Sequence, residues 1–183
     1  MIVIGASLGG LHALQIVLTG LSPNYPRPVV IVQHRVKGPE SGLAQLLQRT
    51  CAVPVIEPED KEPLSPGRVY LAPADYHVLV EPDTLALSTE PPVNYARPSI
   101  DVLFESAAAS YGALVLGIVL TGANEDGARG ARAVLEAQGR VLIQDPRTAE
   151  SPIMPQAALS TTGLPRVHSL EQIAMELAAF AAL

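Results

Sequence analysis

Short runs of consecutive apolar residues alternate along most of the chain with segments whose apolar positions recur at helical spacing. Ile2-Val-Ile4, Val29-Val-Ile-Val32, Ala113 to Leu120 and Val141-Leu-Ile143 are apolar on successive positions, the pattern of strands covered on both faces. Between them lie predicted helices over about Gly9–Thr19 and Leu43–Gln48. Others run from an N-cap at Ser99 to Gly112, and from about Gly127 to Gln138, closed by Gly139. Ser169-Leu-Glu-Gln172 reads as a capping box that opens a C-terminal helix. This alternation predicts an α/β fold: one doubly wound, mostly parallel sheet with helices on both faces, a single domain over residues 1–183. Residues 57–98 break the rhythm. A polar, proline-rich stretch (57–63) leads to short strands at 68–72, 75–81 and 85–88, read as a small antiparallel hairpin elaboration, and 90–98 and 150–155 read as loops.

The densest chemistry lies where the first strand ends. Gly5-Ala-Ser-Leu-Gly9 has the G-x-S-x-G spacing of a strand–turn–helix in which glycines allow a sharp turn and the serine hydroxyl points outward. In open parallel sheets, ligands bind beyond the carboxyl ends of the strands. A dinucleotide-binding turn would be G-x-G-x-x-G with an acidic residue about 20 residues later. Here the middle position is Ser7 and the second strand ends in Gln33-His34, so nucleotide binding is not expected. The plain alternative is that Ser7 only caps a helix.

Bulk properties narrow the classes. At 183 residues with 48% apolar and 16% charged residues the chain is globular, and no apolar run approaches the ~20 residues of a membrane span. A net charge of −6 without a basic cluster argues against nucleic acid. The single cysteine, Cys51, excludes an internal disulfide, suits a reducing cytoplasm and reads as a packing residue. No secretory leader is visible, which points to a cytoplasmic protein without membrane insertion.

His34 and at least one aspartate join Ser7 on the same sheet edge. Serine is a poor nucleophile without an adjacent base, imidazole supplies one near neutral pH, and a carboxylate holds the imidazole's tautomer. Asp126 and Asp145 each follow a parallel strand, and Glu125 neighbours the first; on the residues alone the acid is open among them. Each has a simpler reading, Asp126 as the N-cap of the helix after it, and His34 as a strand-end histidine. His12 reads as a partly exposed helix residue and His77 as structural. The order Ser, His, Asp differs from that of α/β-hydrolases, and the fold is expected to be another one.

Across nearly its whole length the chain resembles the catalytic domain of CheB-type chemotaxis protein-glutamate methylesterases. The resemblance rests on Gly5-Ala-Ser-Leu-Gly-Gly10, Gln33-His34, Val69-Tyr-Leu-Ala-Pro73, Arg97-Pro-Ser-Ile-Asp101, Leu120-Thr-Gly-Ala-Asn-Glu-Asp-Gly-Ala128, Gln144-Asp-Pro146, Ser151 and Met154-Pro155, in that order. It implies Ser7 as nucleophile, His34 as base and Asp126 as orienting acid, with the Ala123 backbone amide in the oxyanion hole. It implies hydrolysis of glutamyl methyl esters on the cytoplasmic helices of chemoreceptors, deamidation of certain glutamines there, and no cofactor or metal. Leu8, Gly9, Arg97 and Met154 are candidate cleft residues, Arg97 as a cation for an acidic helix and the 90–98 loop as part of the rim. The chain departs from the family in Leu8, where threonine is frequent, and in Ala123-Asn124, where Met-Gly is frequent. The family usually carries an N-terminal receiver domain, whereas here the first strand begins at Ile2, which reads either as a stand-alone esterase domain or as a trimmed chain. These departures sustain a second reading, a catalytically silent module that binds receptors or a signalling partner.

Overall fold

A computed structural model describes residues 1–35, 42–164 and 166–181. Its main sheet has six strands, all parallel. They are β1 (Ile2–Ala6), β2 (Val29–Gln33), β3 (Val55–Ile56), β5 (Val69–Leu71), β8 (Leu116–Val119) and β9 (Arg140–Ile143), in the order β3-β5-β2-β1-β8-β9. The chain moves outward from β1 through β2 and then resumes on the other side with β8. The switch point is therefore the junction of β1 and β8, where parallel sheets open a crevice.

Alternating side chains of β1 enter two cores. Ile2, Ile4 and Ala6 pack with Leu14 and Val17 of α1 (Gly10–Val17), Leu43 and Leu47 of α2 (Leu43–Gln48), and Ile173 and Leu177 of α6 (Leu170–Phe180). Val3 points the other way, toward Leu103 and Phe104 of α3 (Ile100–Tyr111), Val134 of α4 (Ala128–Glu136) and Ala158 of α5 (Ile153–Thr162). The two-residue period of the strand thus feeds helical layers on both faces. The capping box at Ser169 is present, and Ser99 is the N-cap of α3 as its position predicts.

Four details differ from the sequence expectation. The apolar run 113–120 is a strand only over Leu116–Val119, after a 3-10 turn at Gly112–Leu114. The segment 68–72 belongs to the parallel sheet: β5 sits between β3 and β2, with Val69, Tyr70 and Leu71 fully buried, so it needs neighbours on both edges and cover on both faces. The antiparallel elaboration begins only with β6 (His77–Glu81) and β7 (Thr84–Ser88), and β4 (Glu62–Pro63) joins β7 to make a three-stranded sheet in place of a hairpin. Residues 153–162, beginning in the predicted 150–155 loop, form α5. Pro152 and Pro155 stand at its N-cap and in its first turn, where the helix has no use for their missing N–H groups.

Candidate active site

Ser7 and His34 follow adjacent strands, and the sheet's hydrogen-bond ladder continues into both. The Ser7 N–H donates to Thr121 O (2.9 Å), beyond the end of β8, and the His34 N–H donates to Ala6 O (2.9 Å). Each glycine of the turn answers a separate demand. A side chain at Gly5 would strike Ile100, one at Gly10 would strike the Gln33 amide, and Gly9 adopts φ 77°, where glycine is favoured. Gln33 is itself a clamp. Its Nε2 donates to Ser7 O (2.8 Å) and to His34 O (3.0 Å), joining the two backbones through one amide. Its Oε1 is buried and has no hydrogen-bond partner among the described residues, a cost accepted where both N–H groups are needed for the clamp. Thr121 completes the frame, with its hydroxyl donating to Leu8 O (2.8 Å) and accepting from the Ser151 N–H (2.9 Å).

Among the three acidic candidates, Asp126 meets the histidine. His34 Nε2 lies 2.8 Å from Asp126 Oδ2, with the aspartate side chain wholly buried. That oxygen also accepts the Ile100 N–H (2.6 Å), and Oδ1 accepts the Ser99 hydroxyl (2.9 Å) and the Asp101 N–H (3.0 Å). Asp126 therefore does not cap the helix that follows it, whose N-cap is Gly127. Its carboxylate sits on the first amides of α3, at the positive end of that helix. Ile100 reaches this position because Gly5 and Gly127 both lack a side chain that would exclude it. The favour is returned: Asp101 Oδ1 accepts the N–H groups of Gly127 (2.9 Å) and Gly130 (2.7 Å) at the start of α4. Two helices thus exchange aspartates across the site.

The two carboxylates differ in ionisation. Burial by itself raises the Asp126 carboxyl, but the hydrogen bonds from His34, Ile100 and Asp101 more than offset it and hold it below the ordinary carboxylate range. Asp101 is pushed up, first by burial, with the Gly130 amide opposing and the Asp126 charge adding to the rise.

Asn124 fixes the direction of the imidazole. Its Oδ1 accepts the Asp126 N–H (3.2 Å), so its Nδ2 faces His34 Nδ1 at 3.4 Å. An amide N–H can only donate, so Nδ1 is the acceptor nitrogen and the ring proton lies on Nε2, against Asp126. Nδ1 is left as the nitrogen able to take a proton.

Two clefts meet at this point. One, of about 590 Å³, is lined by Ser7, Leu8, Gly9, His12, His34 and Glu150 among others. The second, of about 420 Å³, is lined by Ser7, His34, Arg35, Tyr95, Arg97 and Asn124 among others. Leu8 and Gly9 are therefore cleft residues. Arg97 lines the second cleft but is committed: it pairs with Asp75 and donates to the carbonyls of Thr89 and Glu90. Met154 is fully buried beneath Gly122, whose carbonyl accepts its N–H, and lines neither cleft. Ala123 is exposed, and no acceptor is recorded for its N–H among the described residues.

The remaining candidates lie elsewhere. Asp145 is bound by Arg147, whose side chain sits 2.6 Å away, and Glu125 is exposed without a recorded bond to His34. His77 ties β6 to Ser99: its Nδ1 accepts the Ser99 N–H, and its Nε2 lies 3.2 Å from Pro91 O. Cys51 is buried, and burial raises its thiol. Among the described residues no group of three or more His, Cys, Asp or Glu side chains is placed to hold a metal ion. Reading the sequence missed Gln33 as a clamp, Asn124 as the partner of Nδ1, and the double duty of Ser99 and Asp101. A polar residue beside each predicted site residue was the available signal.

A family model described as CheB methylesterase matches residues 2–177. The chain belongs to the CheB methylesterase family. The catalytic domain of Thermotoga maritima CheB methylesterase superposes with a TM-score of 0.92 at 32% identity, covering 97% of this chain and 96% of that one. A Leptospira interrogans relative is 43% identical over 174 residues, 94% of this chain and 90% of its own length. Protein-glutamate methylesterase/protein-glutamine glutaminase 2 of Anaeromyxobacter dehalogenans is 41% identical, and the match covers 94% of this chain but 51% of the relative. A Nocardioides relative named for the same two activities is 43% identical over 49% of its length, so against these two the chain spans about half.

Proposed function

We propose that this CheB-family chain is a serine esterase that hydrolyses glutamyl methyl esters on the cytoplasmic helices of chemoreceptors, in the cytoplasm, and deamidates glutamines at such sites. The observation that carries this reading is the contact between His34 Nε2 and Asp126 Oδ2, which leaves the base nitrogen of His34 at a junction of clefts shared with Ser7. In the first step Ser7 Oγ bonds to the ester carbonyl carbon while its proton passes to His34 Nδ1. The Asp126 carboxylate stabilises the imidazolium so formed. The carbonyl oxygen takes the negative charge and is met by the Ala123 N–H. Collapse breaks the bond to methoxide, which leaves as methanol with the proton from His34. Water, giving one proton to His34, then attacks the acyl-enzyme, and Ser7 departs with that proton, leaving a glutamate. With glutamine the leaving group is ammonia. No described helix is long and apolar enough to cross a membrane.

Methanol release from methylated chemoreceptor cytoplasmic fragments, with wild type beside Ser7→Ala, tests the reading. Release that disappears with Ser7 supports it. Fluorophosphonate labelling of Ser7 without release would show a serine hydrolase with another substrate. Neither release nor labelling would favour the silent binding module.

A further inference from the structure

The rim of the second cleft contains a residue whose placement the chemistry at Ser7 does not explain. Tyr95 is fully exposed, at 105% of its reference area, while it lines the same cleft as Ser7 and His34. Its backbone has φ 63° and that of Asn94 has φ 50°. Positive φ at both central residues of a two-residue turn is the geometry that glycine and asparagine fill with least strain, and a bulky aromatic there is uncommon. With its ring fully exposed, Tyr95 buries no apolar surface in the core among the described residues.

The turn is nevertheless hydrogen-bonded at both of its ends. The Val93 and Ala96 N–H groups each donate to the other residue's carbonyl (3.1 and 2.9 Å). Asn94 Nδ2 donates to Asp101 Oδ2 (3.0 Å), the carboxylate that also caps α4 beside Asp126. On the far side Arg97 Nε binds Asp75 (3.0 Å), and Arg97 Nη1 donates to Thr89 O (2.8 Å). The ring is thus presented from a turn anchored on the same aspartate that holds the triad's loop. Among the described residues the cations lining this cleft are paired, Arg35 with Glu57 and Arg97 with Asp75, which favours an apolar contact there. Across Ser7, the other cleft offers Leu8, 53% exposed. Apolar groups therefore flank the nucleophile on both sides.

We propose that Tyr95 is a specificity-determining contact for the protein substrate: its ring packs on an apolar side chain of the partner helix adjacent to the esterified glutamate. Ser7 and Tyr95 line the same cleft, so a segment seated along it beside Ser7 would run past this ring. The inference rests on the function proposed above and names the part of the site that reads the helix rather than the ester.

The test compares wild type, Tyr95→Ala and Tyr95→Phe on methylated receptor fragments and on p-nitrophenyl acetate, with fluorophosphonate labelling of Ser7 alongside. Tyr95→Ala is expected to raise KM for the receptor fragment about tenfold, as loss of a buried aromatic contact does. Its kcat, its turnover of the small ester and its labelling rate stay at the wild-type level. Tyr95→Phe keeps the ring and should stay within about twofold of wild type. An unchanged receptor KM in Tyr95→Ala, with methanol released normally, would overturn the role of Tyr95 and leave the esterase reading intact. An equal loss on receptor and small ester would also overturn it, since the residue would then act on the chemistry. Labelling without methanol release by wild type would sink the esterase reading and this role with it.

Discussion

Two turns of the molecule look alike in sequence and differ in physics: the one after β8, with Asp126, and the one after β9, with Asp145. Both place an aspartate beyond the carboxyl end of a parallel strand. Asp145 is held inside its own turn by Arg147, two residues on, whose side chain is 85% exposed. The carboxyl is kept below the ordinary range chiefly by that guanidinium. Asp126 is held by groups distant in sequence: His34, Ser99 and the first amides of α3. It remains ionised though buried because hydrogen bonds overcome the cost of desolvation. A carboxylate satisfied by a nearby arginine orients nothing else. One held by a helix terminus has an oxygen edge left to direct an imidazole.

The sharpest way to break this comparison is to neutralise each aspartate in turn. Asp126→Asn should lower kcat by about 10⁴, the size of the loss when a triad's orienting carboxylate becomes an amide. Asp145→Asn should leave kcat unchanged. Comparable losses in the two variants would return the choice of acid to the state in which the bare residues left it.

A smaller effect is expected at the clamp. Gln33→Met removes both N–H bonds to the Ser7 and His34 carbonyls at similar volume, and a displacement of about 1 Å between reacting groups costs on the order of 10²-fold. The measurement is kcat on a small ester with KM followed separately; a kcat like that of wild type would show that the ladder bonds alone hold the turn.

Next comes the exchange of helix caps. Asp101→Ala orphans the buried amides of Gly127 and Gly130, which should destabilise the protein by about 1–3 kcal/mol in urea unfolding. Asp101→Asn keeps an acceptor for those amides and should lose less. Equal losses would mean that the charge of Asp101 matters more than its bonds.

The finest distinction is in pH. Asp126 has its folded pKa depressed, so the stability it contributes is present above the ordinary carboxylate range and disappears as pH falls through the folded value. Asp101 has its folded pKa raised, so its ionisation costs stability, and acidification through the carboxylate range relieves that cost. Between pH 7 and 3, urea unfolding should show stability falling less steeply in Asp126→Asn than in wild type, and more steeply in Asp101→Asn. The reverse order would contradict the burial and hydrogen bonding described for the two side chains.

Much of this architecture was legible residue by residue. The apolar runs at 2–4, 29–32 and 141–143 became sheet strands, Ser99 and Ser169 became caps, and Gly9 took the left-handed conformation its turn required. The errors share a cause. Val69 to Leu71 resembles its antiparallel neighbours in composition, and only its insertion between β2 and β3 sets it apart. The α5 helix was hidden by prolines at positions that a helix start tolerates. For Asp126 the residues leave a local cap and an orienting acid both open, because capping acts within the turn, whereas Ile100, admitted by Gly5 and Gly127, brings a different helix to it.

The sequence by itself determined most of the strands and helices and their alternation, that Ser7 stands on a sharp glycine turn, and that a serine, a histidine and candidate acids share one edge of the sheet. Only the tertiary structure decided which acid meets the histidine, which imidazole nitrogen is left to accept a proton, and that a tyrosine stands over the cleft from a strained turn. The physical reason is that periodicity and capping act between neighbours along the chain. The strand order β2-β1-β8, by contrast, carries residues 92 positions apart to within 2.8 Å, where hydrogen bonding and burial choose between partners that look equivalent in one dimension.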